Sequence, residues 1–87
     1  MTDREIAHLV ELALAQGWTV EPDGGNLFFT KSGLTLFFPI RTAGGLEHLI
    51  ARTLLEMAGL EYRTPPDRWR PSRRWALGWG AVLRRRR

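Results

Sequence analysis

The fold is decided by residues 24–39, which read GGNLFFTKSGLTLFFP. Two apolar runs, Leu27–Lys31 and Leu34–Phe38, flank the pair Ser32-Gly33, and such a two-residue loop between apolar runs is typical of a β-hairpin. Pro39 ends or borders the second run, because proline has no amide hydrogen to donate to a neighbouring strand. This stretch therefore predicts two antiparallel strands.

A helix is predicted ahead of the hairpin, over residues 3–16. Thr2 and Glu5 have the spacing of a capping box, in which each side chain accepts from the backbone amide of the other. Apolar residues then recur at helical spacing: Ile6, Leu9, Val10, Ala13 and Leu14. Gly17 suits the left-handed residue that commonly ends a helix.

Further elements lie on either side of the hairpin. Trp18–Glu21 predicts a first strand, and Pro22–Asn26 is rich in turn-forming residues. After a loop at Arg41–Gly45, a second helix is predicted to run up to Gly59. Its apolar stripe is expected to be Leu46, Leu49, Ile50, Thr53, Leu54 and Met57.

The predicted order α-β-β-β-α indicates an α+β fold with a three-stranded antiparallel sheet. Two helices can cover one face of so small a sheet. Residues 1–63 are expected to form this domain, and residues 64–87 a proline-containing linker followed by an Arg- and Trp-rich C-terminal segment. Ser72 is predicted to cap a last short helix over residues 73–83.

Composition and length restrict the function classes. Eighty-seven residues suffice for one domain, and the absence of cysteine excludes disulfides and thiolate chemistry. With only two histidines in the chain, neither a metal nor another cofactor is predicted. The apolar stretches are shorter than the roughly 18 residues of a membrane span, and the chain begins with acidic residues where a signal peptide has basic ones. A cytoplasmic location is expected.

Charge is unevenly distributed along the chain. Residues 1–63 hold five basic and eight acidic side chains, a net charge of −3, whereas residues 64–87 hold eight arginines and one aspartate, a net charge of +7. Arginines interleaved with Trp69, Trp75 and Trp79 suit contacts to phosphates and stacking on the bases of single-stranded nucleic acid. The same composition also fits a segment lying at a membrane surface, which is the least favoured reading.

One Phe in each hairpin strand must face away from the helices, since side chains alternate between the faces of a strand. An aromatic patch on the uncovered face is therefore expected. Phe28, Phe37, Trp75 and Trp79 are candidates for a protein interface. The C-terminal segment could fold back over this patch, or a second copy or another protein could cover it.

Four stretches carry a resemblance to a known family: Gln16–Trp18, Gly24–Lys31, Leu36–Pro39 and Leu54–Leu60. In this pattern a helix ends in Gly-Trp, Gly-Gly opens a hairpin, a strand ends in Pro, and a helix ends in Ala-Gly-Leu. It resembles the HicA-type mRNA interferase toxins, over residues 4–62. The resemblance implies a fold like that of double-stranded-RNA-binding domains, and a role in RNA binding or in a toxin–antitoxin pair. The short, cysteine-free, arginine-rich chain is also typical of bacteriophages, so a phage protein is a further expectation.

The chain departs from the family at the residues that matter for cleavage. The family has its catalytic histidine directly after the Gly-Gly or Gly-Ser turn, where this chain has Asn26. An amide side chain cannot exchange the proton that RNA cleavage requires. Asn26 is either a remnant of the active position or a turn residue, and His48 is either a substitute base or a surface histidine. His8 is expected at the surface.

The sequence therefore predicts a non-catalytic accessory or regulatory protein that binds nucleic acid, RNA before DNA. The alternatives are a divergent HicA-like ribonuclease using His48 and a module that binds an antitoxin-like or host protein; a homodimer is also open. The predicted nucleic-acid-binding residues are Asn26, Lys31, Arg41, His48, Arg52, Arg68, Arg70, Arg73, Arg74, Trp75, Arg84, Arg85, Arg86 and Arg87.

Overall fold

The computed structural model describes residues 1–42 and 44–71 and confirms the predicted α+β fold. Its elements are α1 (Asp3–Ala15), β1 (Thr19–Asp23), β2 (Asn26–Lys31), β3 (Leu34–Pro39) and α2 (Leu46–Met57). The strands form one antiparallel sheet in the order β1-β2-β3, so β1 and β3 are its edges. The helix predicted over residues 73–83 lies outside the described residues.

Helix α1 begins where its sequence predicts and ends one residue earlier than predicted, at Ala15. The Thr2 hydroxyl accepts from the Glu5 amide at 3.1 Å, and the Glu5 carboxylate accepts from the Thr2 amide at 2.8 Å. Gly17 follows the helix with φ +93°, in the left-handed region that favours glycine. The face of α1 that meets the sheet is apolar, so packing adds to the stability that the capping box provides.

The two hairpins differ in how closely they follow prediction. Ser32 and Gly33 form the predicted two-residue loop, both with positive φ (52° and 81°), which matches the right-handed twist of the strands. In the first hairpin the predicted turn is too long, because Pro22 and Asp23 belong to β1 and pair with Leu27 and Asn26. Proline is tolerated there because β1 is an edge strand.

The hairpin strands divide their aromatic residues between the two faces of the sheet, as predicted. Phe29 and Phe38 are fully buried under the helices together with Leu27. Phe28 and Phe37 lie opposite one another on the other face, with ring centroids 6.4 Å apart. The face away from the helices therefore carries an aromatic pair.

The predicted orientation of α2 is wrong. Its buried residues are His48, Ala51 and Leu55, and the wider apolar stripe faces outward. Met57 is 78% exposed and Leu46 is 64% exposed. Helical periodicity favours the face with more apolar residues, but His48 can face the core because its ring stacks on Phe38, with centroids 4.9 Å apart, and backbone carbonyls accept from it.

The chain after α2 runs back along α1. The side-chain amide of Gln16 donates to the Glu61 carbonyl at 2.8 Å, and its oxygen accepts from the Glu61 amide at 2.7 Å. At the other end of α1, the Arg4 guanidinium donates to the carbonyls of Pro66 and Trp69. The predicted linker is thus packed against the domain, with Pro65 buried and Trp69 half-buried. Neither α1 nor α2 is long and apolar enough to cross a bilayer, and the described residues contain no other helix that is.

The division of the aromatic residues predicts different effects of matched substitutions in β2. Phe29→Ala is expected to lower the free energy of unfolding by about 3–5 kcal/mol, because it opens a cavity in the core. Phe28→Ala removes the same atoms from the half-buried side of the same strand and is expected to cost about 1–2 kcal/mol. Urea denaturation followed by far-ultraviolet circular dichroism measures both. Equal losses would contradict the assignment of the two faces.

Candidate functional site

The predicted phosphate-binding residues of the folded domain do not form one strip. Asn26 and Lys31 are the first and last residues of β2, so about 17 Å of strand separates them. Arg41 and His48 lie at the Asn26 end of the sheet, because His48 contacts the carbonyls of Pro39 and Ile40 at the end of β3. Lys31 lies at the opposite end, beside the C-terminus of α1.

The three cationic residues of the set each have a partner within the domain. The Lys31 ammonium donates to the Gln16 carbonyl at 2.7 Å and lies 5.9 Å from the centroid of a Trp18 ring. Arg41 lies 3.7 Å from the Asp3 carboxylate. Arg52 lies 3.9 Å from Glu56, and its guanidinium carbon is 5.4 Å from the centroid of the Tyr62 ring. Phosphate would compete with these internal partners for the same cationic groups.

Asn26 occupies the first position of β2, opposite Asp23 on one side and Pro39 on the other. It does not take the positive φ that a turn role after Gly-Gly would use; among the described non-glycine residues only Ser32 has one. Asn26 therefore acts structurally as a paired strand residue, beside a carboxylate that disfavours an approaching phosphate.

His48 is buried, at 5% exposure, rather than at the surface. Its Nε2 lies 2.8 Å from the Pro39 carbonyl oxygen and 3.1 Å from that of Ile40, and its Nδ1 lies 2.9 Å from the Met1 amino nitrogen. These partners fit the tautomer with hydrogen on Nε2, which donates to the carbonyls while Nδ1 accepts from Met1. Nε2 therefore holds α2 to the end of β3, and Nδ1 links α2 to the residue ahead of the cap of α1.

A cluster of Arg4, His8, Tyr62 and Trp69 fixes the start of the C-terminal segment, and sequence reasoning missed it. The His8 ring packs edge-on against Trp69, with centroids 4.8 Å apart, and against Tyr62 at 6.2 Å. The Arg4 guanidinium carbon lies 5.6 Å from the centroid of the Trp69 ring. His8 is 8% exposed, so its expected surface position is wrong. A covering residue more than fifty positions away gave no local signal in the sequence.

The described arginines on either side of Trp69 are open to solvent. Arg63, Arg68 and Arg70 are exposed, although Arg70 also donates to the Trp69 carbonyl at 3.2 Å. The remaining predicted contacts lie outside the described residues: Arg73, Arg74, Trp75, Trp79, Arg84, Arg85, Arg86 and Arg87. Arg68 and Arg70 thus lie on either side of Trp69, whose position is fixed by its contact with Arg4 of α1.

The sheet face away from the helices is only partly apolar. Around Phe28 and Phe37 lie Thr30 and Thr35, whose hydroxyl oxygens are 3.1 Å apart. A depression of about 350 Å³ on this face is also lined by Glu21 and Asp23. Two carboxylates beside the aromatic pair repel a phosphate backbone, so this face does not suit nucleic acid.

A second depression is almost entirely apolar and runs between α2 and the free edge of β3. We call it the α2–β3 groove; its volume is about 390 Å³. Its apolar lining is Leu36, Phe37, Pro39, Ile50, Ala51 and Leu54, and Glu47 lies at its margin. Phe37 is 60% exposed, and Ile50 and Leu54 are exposed as well. The groove exists because α2 turns its wider apolar stripe outward, where the sequence had predicted that this stripe would face the sheet.

Comparison with protein-family models, with curated proteins and with solved structures finds no match to this chain. The resemblance to HicA-type toxins therefore remains a prediction from the sequence motifs. Among the described residues, no group of three or more His, Asp or Glu side chains is placed to hold a metal ion.

The buried position of His8 predicts a pH dependence of stability. Burial lowers the pKa of His8 below its ordinary value of 6.5, and the cations Arg4 and Arg63 act in the same direction; a backbone hydrogen bond at Arg63 and the Glu11 carboxylate oppose this. The unfolded chain therefore binds a proton before the folded chain does as pH falls. The free energy of unfolding is expected to decline below about pH 6.5.

This decline is measurable by urea denaturation between about pH 7 and pH 5.5, above the range in which most carboxylates titrate. His8→Phe keeps a ring against Trp69 and removes the titrating group, so it is expected to reduce the decline. An equal decline in both proteins would contradict the assignment to His8.

Proposed function

We propose that this protein binds single-stranded nucleic acid through the arginines of residues 64–87, and that its folded domain holds this segment without cleaving the ligand. The observation that carries the proposal is the separation of charge, with a net charge of +7 in residues 64–87 against −3 in residues 1–63. Neutralisation of phosphates supplies most of the affinity of proteins for nucleic acids, so affinity should reside where the positive charge is.

The internal contacts of the domain's basic residues also favour residues 64–87 as the binding site. Lys31, Arg41 and Arg52 are engaged with carbonyls, carboxylates or aromatic rings of the domain. The uncovered sheet face presents Glu21 and Asp23. By contrast, Arg68 and Arg70 are exposed at the start of the segment that contains six further arginines.

The packing of Trp69 supports a carrier role for the domain. The Arg4 guanidinium holds the backbone at Pro66 and Trp69, and the His8 ring packs on the Trp69 side chain. The arginine-rich segment therefore begins at a fixed place rather than at the end of a free linker. Fixing part of a binding segment beforehand reduces the entropy that it loses on binding.

Two polar side chains near the Gly24-Gly25 turn support binding without cleavage. Asn26 has no proton to exchange near neutral pH, and His48 has both ring nitrogens paired with backbone groups. A general base must reach the proton that it removes. His48 would have to leave the end of β3 and disturb α2 to do so.

Replacing the four arginines 84–87 with glutamine tests the proposal in the full chain. The logarithm of the affinity for a labelled single-stranded oligouridylate is expected to fall linearly with the logarithm of salt concentration. The glutamine variant should bind more weakly, with a slope shallower by up to about 3, since each lost phosphate contact contributes about 0.7. Fluorescence anisotropy at about 50–200 mM salt measures this.

The matched control replaces the same four arginines with lysine, which preserves the charge and should preserve the slope. Oligothymidylate in place of oligouridylate distinguishes DNA from RNA as the source of the phosphates. Heparin competition separates a general preference for polyanions from nucleic-acid binding. A glutamine variant with unchanged affinity and slope would overturn the proposal.

A further inference from the structure

The two edges of the sheet differ in how they are protected from pairing with other chains. Strand β1 carries Glu21, Pro22 and Asp23, and charged residues and proline at an edge discourage further strand pairing. Strand β3 has the sequence LTLFFP, without a charged residue and with its proline at the end. Its Leu34 and Phe37 side chains are exposed. An edge of this kind is ordinarily covered by another segment.

The α2–β3 groove extends this unprotected edge onto the helix. Ile50 and Leu54 lie one turn apart on α2 and face the groove beside Leu36 and Phe37 of β3. Apolar area of this kind stabilises a protein by about 25 cal/mol per Å² once it is removed from water. The groove therefore favours an apolar occupant.

Contacts of the first four residues link the described end of the chain to the start of α2. Arg4 contacts Trp69, and Met1, three residues earlier, contacts His48 in the first turn of α2. Glu47, next to His48, lies at the margin of the groove. Residues 1–4 thus contact both Trp69 and the first turn of α2, and the groove begins beside that turn, at Glu47.

The remaining chain is long enough to fill the groove. Residues 75–83 would extend about 13.5 Å as a helix, which is within the roughly 18 Å length of the twelve-residue α2. Three residues separate Pro71 from Trp75, and the four extended steps between them reach about 13 Å. A segment of the same chain is also present at a high effective concentration, which a separate molecule lacks.

The residues of this segment match the groove in chemistry. Trp75, Trp79 and Leu83 recur every four residues, so a helix would place them on one face. Arginines flank them at positions 73, 74 and 84–87, and the domain that would receive them has a net charge of −3. The groove itself contributes Glu47 at its margin.

We propose that Trp75, Trp79 and Leu83 dock in the α2–β3 groove of the same chain. The sequence-based expectation placed the segment over the sheet face that carries Phe28 and Phe37. The groove includes Phe37 but lies between α2 and the edge of β3. Docking covers the free edge of β3 with apolar side chains and leaves the flanking arginines in solvent at the two ends of the groove. It goes beyond the proposed function and does not depend on it.

A nitroxide label tests the proposal, because the chain has no cysteine and Ala81→Cys creates a single labelling site. In the full chain without nucleic acid, the label is expected to broaden the amide resonances of Leu36, Phe37, Ile50 and Leu54. The amides of Thr19 and Glu21 on β1, which lie two strands and about 10 Å farther across the sheet, should be broadened less. Selective broadening of β1 and of Phe28 would place the segment on the other face and overturn the proposal, as would the absence of selective broadening.

Substitutions on α2 test whether the α2–β3 groove is the docking site. Ile50→Glu with Leu54→Glu should abolish the broadening, whereas Leu49→Glu should not, because Leu49 is an exposed apolar residue of the same helix that does not line the groove. Loss of broadening with Leu49→Glu would overturn the assignment to the groove. All three positions are exposed, and the resonances of the buried Phe29 and Phe38 report whether each variant is folded.

A mixture of isotope-labelled chain lacking the nitroxide with unlabelled nitroxide-bearing chain separates one chain from two. The isotope-labelled amides should stay sharp in this mixture. Broadening there would assign the groove to the segment of a second copy and overturn docking within one chain. Nucleic acid takes no part in this experiment, so a failure here leaves the arginine substitutions as an independent test of the proposed function.

Discussion

The ring of His48 ties α2 to the end of β3, and the external surface of the protein depends on that contact. One ring nitrogen meets the carbonyls of Pro39 and Ile40, the other meets Met1, and the ring plane stacks on Phe38. A buried polar side chain is costly unless its hydrogen bonds are satisfied, and here they are. Because His48 faces inward, Ala51 and Leu55 also face inward, and the more apolar side of the same helix faces solvent.

The hydrogen bonds at the two ends of α1 fix the path of the chain after α2, as His48 fixes the orientation of α2. Gln16 pairs with the backbone of Glu61 at one end, and Arg4 with the carbonyls of Pro66 and Trp69 at the other. Between them Tyr62 and Trp69 cover His8. Residues 61–71 thus add apolar and aromatic cover to a domain whose small size limits the core it can build. They also determine where the arginine-rich segment begins.

Local sequence signals predicted the elements and the two-layer fold, but not which polar residues are buried. The capping box at Thr2, the loop at Ser32 and the alternation of phenylalanines act over a few residues, and each is confirmed. His8 and His48 are covered or hydrogen-bonded by residues distant in sequence, so periodicity placed both at the surface. The same limitation applies to Lys31 and Arg52: composition shows their charge, whereas their partners depend on tertiary contacts.

Charge alone does not determine what the C-terminal segment contacts. Its arginines are attracted both to the acidic domain and to any phosphate polymer, and salt screens both attractions over about 8–10 Å. Apolar burial is much less sensitive to salt, so an apolar contact can fix the position of the segment while its arginines remain available. In the docking that we propose, the α2–β3 groove is that contact surface and the tryptophans are the matching side chains. One short segment would then cover a strand edge with its apolar residues and present positive charge with its arginines.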